Sequence, residues 1–93
     1  MSYYIYLIIT KNNNKVISYV GYTNNIEKRI KEHNDSKGAK FTKGKKWLLI
    51  YKKRYQTKSL AMKHEYLLKK NRKKRELIKK NYLENANFNS TAL

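Results

Sequence analysis

The first quarter of the chain contains two apolar runs separated by a short polar segment. Residues 4–10 (YIYLIIT) and 16–22 (VISYVGY) are rich in aromatic and β-branched side chains, which favour β-strands. The segment between them (KNNNK) is rich in asparagine, which tolerates the positive φ angles of tight turns. The pattern therefore predicts a β-hairpin.

Helical periodicity replaces this alternation after the second run. Thr23 and Asn24 are candidate N-caps, and Glu27 follows Asn24 at the spacing of a capping box, so a first helix is predicted over residues 25–34. A basic loop with two glycines comes next (DSKGAKFTKGKK). The run WLLIYKKRY, residues 47–55, then predicts a third strand.

The C-terminal part predicts two further helices. Thr57 or Ser59 can cap a helix that runs to about Lys70, and the run RKKRELIKKNYL, residues 72–83, predicts a third helix. Residues 84–93 lack periodicity and are expected to form a flexible tail. In a chain of 93 residues, these elements predict one α+β domain over residues 1–83.

Composition narrows the possible functions. The formal net charge of +17 exceeds what solubility requires and indicates a polyanionic partner, with nucleic acid as the leading candidate. The chain has no cysteine, which excludes disulfides, thiolate metal sites and cysteine nucleophiles. Its apolar runs are too short to cross a bilayer, and no signal-peptide pattern is found. We expect an intracellular protein with no membrane partner, in a prokaryotic cytoplasm or nucleoid, or in the infected cell if the source is viral.

The first predicted helix combines polar and apolar residues on one face. Ile26 and Ile30 define its apolar stripe, and helical spacing places Arg29 and His33 on the same side. Arg29 can also extend to the edge of the core, and His33 can be a hydrogen-bonded histidine at the boundary of the core. The inward face of this helix therefore has either a structural or a chemical role.

The second predicted helix places a carboxylate among apolar residues. Glu65 shares one line of the helix with Ala61 and Leu68. An ionised carboxylate is seldom buried without a partner or a metal, because its desolvation costs several kcal/mol. The other acidic residues have simpler explanations. Glu27 can cap the first helix, Glu32 and Asp35 are expected to face water, Glu76 can pair with Lys80, and Glu84 lies near the tail.

These residue types fit phosphodiester hydrolysis. That reaction needs a base that activates water, cations that offset the charge of the transition state, and usually a divalent metal held by carboxylate oxygen. Two alternatives remain open. One is a noncatalytic nucleic-acid-binding protein, for instance one associated with ribosomes. The other is a catalytically decayed module that is kept as a binding domain.

The stretches YIYLI, YVGYTNNIEKRIKEHN, GAKFTKG and KSLAMKHEYLLKK together resemble a GIY-YIG nuclease domain, in particular its small standalone branch. The resemblance covers residues 4–78. It implies a three-stranded antiparallel sheet flanked by three helices, and metal-dependent cleavage of DNA. The chain departs from the family pattern at two positions. Tyr4 stands in place of the first glycine, and the position at which larger members have an asparagine falls near Leu77 in this sequence.

The resemblance also implies a catalytic site. Tyr6 and Tyr19 match the tyrosines of the two motif tripeptides, while Arg29, His33 and Glu65 match the helix residues of the site. In this scheme Tyr19 takes a proton from water, Arg29 holds a phosphate oxygen, and Glu65 binds Mg²⁺ or Mn²⁺. His33 orients a tyrosine or carries the proton. Tyr6 is either catalytic or an aromatic residue that packs on the first helix.

Basic segments are the predicted DNA-binding surface, because lysines neutralise backbone phosphates without reading sequence. We expect no added recognition domain and therefore a preference for DNA shape, as in branched or damaged DNA, with no small-molecule cofactor. The high charge and the lack of an apolar heptad predict a monomer in solution. The predicted DNA contacts are Lys40, Lys43, Lys45, Lys46, Arg72, Lys73 and Lys74.

Overall fold

A computed structural model describes the backbone of residues 1–92 and the side chains of residues 1–85. The chain begins with a hairpin of two antiparallel strands, β1 (Tyr3–Asn12) and β2 (Lys15–Thr23). Asn13 and Asn14 form the turn with φ angles of 51° and 67°, the left-handed values that two-residue hairpin turns require. The predicted hairpin is confirmed, and each strand is slightly longer than predicted.

The third strand, β3 (Leu48–Tyr55), pairs antiparallel with the other edge of β1, which gives the sheet order β2-β1-β3. Trp47 was predicted to begin this strand and instead precedes it, because its backbone N–H donates to Asn34 Oδ1 at 2.5 Å. The outer edge of β3 exposes Lys52, Lys53 and Arg54. Charged side chains on an edge strand oppose pairing with another chain.

Three α-helices follow the predicted order. Helix α1 (Ile26–Asn34) is capped by Asn25, whose side chain accepts from the backbone N–H of Lys28, so the predicted cap at Asn24 is wrong by one residue. Helix α2 (Lys58–Lys70) is capped by Thr57, one of the two predicted caps. A short 3-10 turn, Lys40–Thr42, lies in the basic loop.

Helix α3 (Arg72–Ala92) continues past its predicted end. Side chains beyond residue 85 lie outside the described residues, and the mobility of the tail stays a prediction. Glu76 pairs with Lys79 at 3.0 Å rather than with Lys80, because both the third and the fourth following residues lie next to a helical side chain. No helix in the described part of the chain is long and apolar enough to span a bilayer.

Alternation along β1 divides the core into two layers. Tyr6 and Ile8 face one side of the sheet, where they pack with Trp47 and are covered by α1. Ile5 and Leu7 face the other side, against α2 and α3. Both faces are covered, so β1 reads as a continuous apolar run. The α+β fold with a three-stranded antiparallel sheet and three α-helices is confirmed.

Candidate active site

A chain of hydrogen bonds connects β1, α1 and the basic loop. Tyr6 Oη lies 2.7 Å from His33 Nε2, and His33 Nδ1 lies 2.9 Å from Thr42 Oγ1. The Thr42 hydroxyl donates to the Ala39 carbonyl oxygen at 2.8 Å. Tyr6 is 1% exposed, and His33 and Thr42 are fully buried. Arg29 and His33 were predicted to share the inward face of α1, and the structure places both beside Tyr6.

Arg29 extends this chain toward solvent. Its Nε donates to Tyr6 Oη at 3.4 Å, and its Nη1 lies 3.2 Å from Glu32 Oε1. Glu32 was expected to face water, but it is half-buried because it pairs with Arg29. Arg29 and Glu32 line an open cleft of about 500 Å³, together with Tyr3, Tyr22, Thr23, Asn24, Asn25, Lys28 and Lys58.

The environment keeps both buried partners neutral near pH 7. Burial raises the pKa of Tyr6 to about 12, although the neighbouring Arg29 acts in the opposite direction. Burial and, secondly, the positive charge of Arg29 lower the pKa of His33 below its usual 6.5. A neutral phenol and a neutral imidazole are therefore joined at the centre of the site.

Tyr19 lies beside this chain of hydrogen bonds and is half-buried, so part of its ring reaches solvent. It faces the same side of the sheet as Tyr6, and its ring meets the edge of the His33 ring at a centroid distance of 5.3 Å. Phe41 stacks on Tyr19 at 6.1 Å with an interplanar angle of 19° and is itself 52% exposed. Among the two motif tyrosines, Tyr19 is half-buried and is the one that a substrate can reach.

Glu65 approaches the site from the opposite face of the sheet. Its side chain is 16% exposed, and its Oε1 lies 3.4 Å from Lys69 Nζ. Lys69 lines a hollow of about 290 Å³ together with Tyr19, Phe41 and Arg75, which places α2 and Tyr19 at the same edge of β2. No hydrogen bond among the described side chains joins Glu65 to Tyr6, but its charge contributes to the raised pKa of Tyr6.

The donors at Glu65 suit a hard divalent ion that keeps most of its water. The described residues contain no group of three or more histidine, cysteine or acidic side chains that could hold a metal. A single partly exposed carboxylate matches the preference of Mg²⁺, which is often bound by one or two carboxylates together with substrate phosphate and water. The predicted role of Glu65 as a metal ligand stays a prediction.

Two glycines allow close packing around the central hydrogen bond. Gly21 lies opposite Tyr6 in the β1–β2 pair, and a Cβ at Gly21 would lie 2.3 Å from Tyr6 Oη. A Cβ at Gly38 would lie 2.4 Å from His33 Nδ1. Sequence reasoning did not assign Gly38 or Thr42 to the site. The only signal was their place in the loop motif GAKFTKG, which has no periodicity to show where a side chain points.

The predicted DNA contacts fall into two groups. The loop group lies near Tyr19, where Lys45 donates to the Phe41 carbonyl oxygen at 3.2 Å and stands over the Phe41 ring. Lys46 donates to the Asn34 carbonyl oxygen at 3.3 Å, so part of this group also holds the loop in place. The exposed residues Lys40 and Lys43 belong to the same loop, and the exposed residues Arg72, Lys73 and Lys74 form the second group at the start of α3.

Comparison with known proteins identifies the family of this chain. Residues 2–81 match the model of the GIY-YIG catalytic domain. The chain is 45% identical over 78 residues to the UPF0213 protein YazA of Bacillus subtilis, covering 82% of this chain and 76% of that protein. It is 36% identical over 88 residues to the UPF0213 protein CPE1444 of Clostridium perfringens, covering 91% of each.

A solved structure adds a further relative. The solution NMR structure of the UPF0213 protein BH0048 from Bacillus halodurans is 35% identical, with coverage of 85% of this chain and 84% of that chain and a TM-score of 0.46. The family assignment rests on the sequence matches, which cover nearly all of the domain. The chain belongs to the GIY-YIG family, a nuclease family, and its relatives are the small standalone UPF0213 proteins.

Proposed function

We propose that this protein is a metal-dependent DNA endonuclease that hydrolyses phosphodiester bonds. The observation that carries the proposal is the arrangement of Arg29, which bonds to the buried Tyr6–His33 pair on one side and lines an open cleft on the other. An arginine fixed by a buried partner loses little side-chain freedom when it binds an anion. Membership of a nuclease family supports the same conclusion.

Arg29 is the group that holds the phosphate. Its Nε is occupied by Tyr6, which leaves the terminal nitrogens for a substrate, and one of these now pairs with Glu32. A partly exposed i, i+3 ion pair contributes only about 0.5 kcal/mol. A phosphate that accepts two hydrogen bonds from the guanidinium can therefore replace Glu32. Arg29 then offsets the charge that develops on the nonbridging oxygens during attack.

Tyr19 is the residue that contacts the attacking water. Unlike Tyr6, it is reachable from solvent, and it stands between His33 and the hollow that Lys69 lines. Nearby cations are needed at this step, because they offset the negative charge that develops as the water attacks. Lys69 shares the hollow beside Tyr19, and Arg29 reaches the site through its bond to Tyr6.

Glu65 is the residue that would hold the metal. Its carboxylate is partly exposed at the β2 edge and has one lysine partner, Lys69, which a divalent ion would displace or share. When bound, Mg²⁺ or Mn²⁺ supplies positive charge that offsets the charge on the leaving oxygen. No small-molecule cofactor is part of this proposal.

DNA is the proposed substrate because of charge and shape. The protein carries a net charge of +17, and exposed lysines lie in the basic loop and at the start of α3. Such contacts position a backbone and do not read sequence, so branched or damaged DNA is the proposed preference.

The same surface suits a noncatalytic nucleic-acid-binding protein. One observation favours this second candidate, since Lys69 already neutralises Glu65 at 3.4 Å.

Glu65→Gln separates the two candidates. The variant removes the metal ligand but keeps the shape of the side chain, so we expect cleavage of plasmid and branched DNA in Mg²⁺ or Mn²⁺ to be abolished while DNA binding stays near wild type. Glu76→Gln is the matched control, because Glu76 also pairs with a lysine on the same helix but is exposed on α3. It should cut normally. Normal cutting by purified Glu65→Gln would overturn the metal assignment, and wild-type binding without cleavage would favour the second candidate.

A further inference from the structure

Hydrogen bonds link Ala39, Thr42, His33, Tyr6 and Arg29 in series. The hydroxyl group of Thr42 determines which partner donates in each of them. Thr42 has a single O–H proton, and its Oγ1 lies 2.8 Å from the Ala39 carbonyl oxygen, which can only accept. The proton of Thr42 therefore points at Ala39. The contact of 2.9 Å between Thr42 Oγ1 and His33 Nδ1 must then use a proton on Nδ1.

This arrangement determines the rest of the chain. A neutral imidazole with its proton on Nδ1 has a lone pair on Nε2, so Tyr6 donates its hydroxyl proton to His33. The Tyr6 oxygen keeps its lone pairs, and one of them accepts from Arg29 Nε. We propose that Thr42 is a positioning residue, which holds His33 as the Nδ1–H tautomer and thereby orients the guanidinium of Arg29.

The opposite tautomer of His33 would interrupt the chain of hydrogen bonds at its centre. A proton on Nε2 would point at Tyr6 Oη, which would then face N–H donors from both His33 and Arg29. Its own proton would need another acceptor, and Tyr6 is only 1% exposed. An unsatisfied buried donor costs free energy, so the cluster would rearrange and Arg29 would lose its fixed position.

The backbone around Thr42 is built to keep its hydroxyl in place. Trp47 Nε1 donates to the Thr42 carbonyl oxygen at 3.0 Å, and the Thr42 amide donates to the Ala39 carbonyl oxygen at 3.0 Å. Gly38 lets the loop lie directly against the His33 ring, since any Cβ there would overlap Nδ1. Thr42 and His33 are both fully buried, so water does not compete for Nδ1.

Two substitutions distinguish positioning from packing. Thr42→Val keeps the shape of the side chain and removes the hydroxyl, whereas Thr42→Ser keeps the hydroxyl and removes a methyl group. A packing role predicts that serine is the more damaging change. The positioning role predicts that valine is the more damaging change and that serine restores the wild-type state.

The experiment measures the tautomer of His33 directly by ¹⁵N NMR of the imidazole at neutral pH. The only other histidine, His64, stacks on Tyr55 away from this chain, so a His64→Gln background leaves one imidazole to observe. We expect the proton on Nδ1 in the wild type and in Thr42→Ser, and a shift toward Nε2–H in Thr42→Val. A wild-type His33 with its proton on Nε2 overturns the proposal, whether or not the variants fold.

A second measurement links the tautomer to turnover, and this part rests on the proposed nuclease function. We expect Thr42→Val to lower kcat for DNA cleavage by about tenfold with little change in KM, because it misplaces a group that acts in the transition state. Thr42→Ser should stay near wild type. Full turnover in a folded Thr42→Val overturns the positioning role. If the wild type cuts no DNA, the proposed function fails, while the NMR result still decides the tautomer.

Discussion

Gly21 lies directly opposite Tyr6 in the β1–β2 pair, and a Cβ at Gly21 would come within 2.3 Å of Tyr6 Oη. The glycine of the second motif tripeptide therefore leaves space for the hydroxyl that bonds to His33 and Arg29. The Tyr6 ring cannot retreat easily, because it is fully packed in the core layer with Ile8 and Trp47. This glycine is thus required by the packing of the Tyr6 hydroxyl in the site.

Gly21→Ala should damage both stability and the site. We expect a loss of about 1–3 kcal/mol in the free energy of unfolding, which is typical of overpacking in a core, together with a large drop in cleavage. Urea unfolding and plasmid nicking measure the two effects. Gly44→Ala is the control, because Gly44 has a φ of +74° but nothing within 4 Å of an added Cβ. It should cost backbone strain without loss of turnover per folded molecule, and equal loss in both variants would contradict this reading.

The lowered pKa of His33 makes both stability and activity depend on pH in the acid range. Burial and Arg29 disfavour the imidazolium in the folded state, so the unfolded chain binds this proton at a higher pH. The contribution of His33 to stability is therefore present above pH 6.5 and is lost as the pH falls through its lower folded value. A protonated Nε2 also cannot accept from Tyr6, so cleavage should decline in the same range.

Comparison of variants isolates this titration. Thermal unfolding of wild type and His33→Gln from pH 4 to pH 8 should show a difference in stability that shrinks as the pH falls. His64→Gln, the matched change at the other histidine, should leave the contribution of His33 intact. A difference that is constant across this range would show that His33 does not titrate as the structure implies.

The secondary structure and the inward face of α1 could be predicted from the sequence, but the contacts between elements could not. Arg29 and His33 could be placed together because residues four apart share a helical face, whereas Tyr6 and Tyr19 were assigned to the site only by the resemblance to the family motif. Thr42 lies in a loop, where no period tells which way a side chain points. Glu32 was placed in water for a related reason, since its contact with Arg29 depends on a rotamer and not on the helical stripe alone.

Arg29 and the basic surface of α3 should be separable by mutation. Arg29→Ala should lower turnover by orders of magnitude, because Arg29 contacts the reacting phosphate in the proposed mechanism. Changing Lys73 and Lys74 together to alanine should mainly weaken binding, and should flatten the slope of log K against log salt by about two, one unit per lost phosphate contact. Fluorescence binding in a salt series and single-turnover cleavage measure these effects. Equal effects of both variants on binding and chemistry would contradict the separation.

The last prediction concerns the number of strands cut in one encounter. Each chain supplies one Glu65 and one Tyr19, and therefore one site for one in-line displacement. The net charge of +17 opposes self-association without DNA, and the outer edge of β3 carries Lys52, Lys53 and Arg54, which oppose strand pairing with a second copy. We therefore propose a monomer in solution that nicks one strand at a time.

Supercoiled plasmid should pass through an open-circular intermediate before linear DNA accumulates. Mixing wild type with an excess of Glu65→Gln adds a sharper test, because independent monomers lose activity only through competition for DNA, which excess plasmid relieves. An obligate dimer would instead form inactive mixed pairs, and the rate of linearisation would fall at any plasmid concentration. Linear product that appears first, or a stable dimer in light scattering at moderate salt, would contradict the monomer, since either would require two active sites to act together on one duplex.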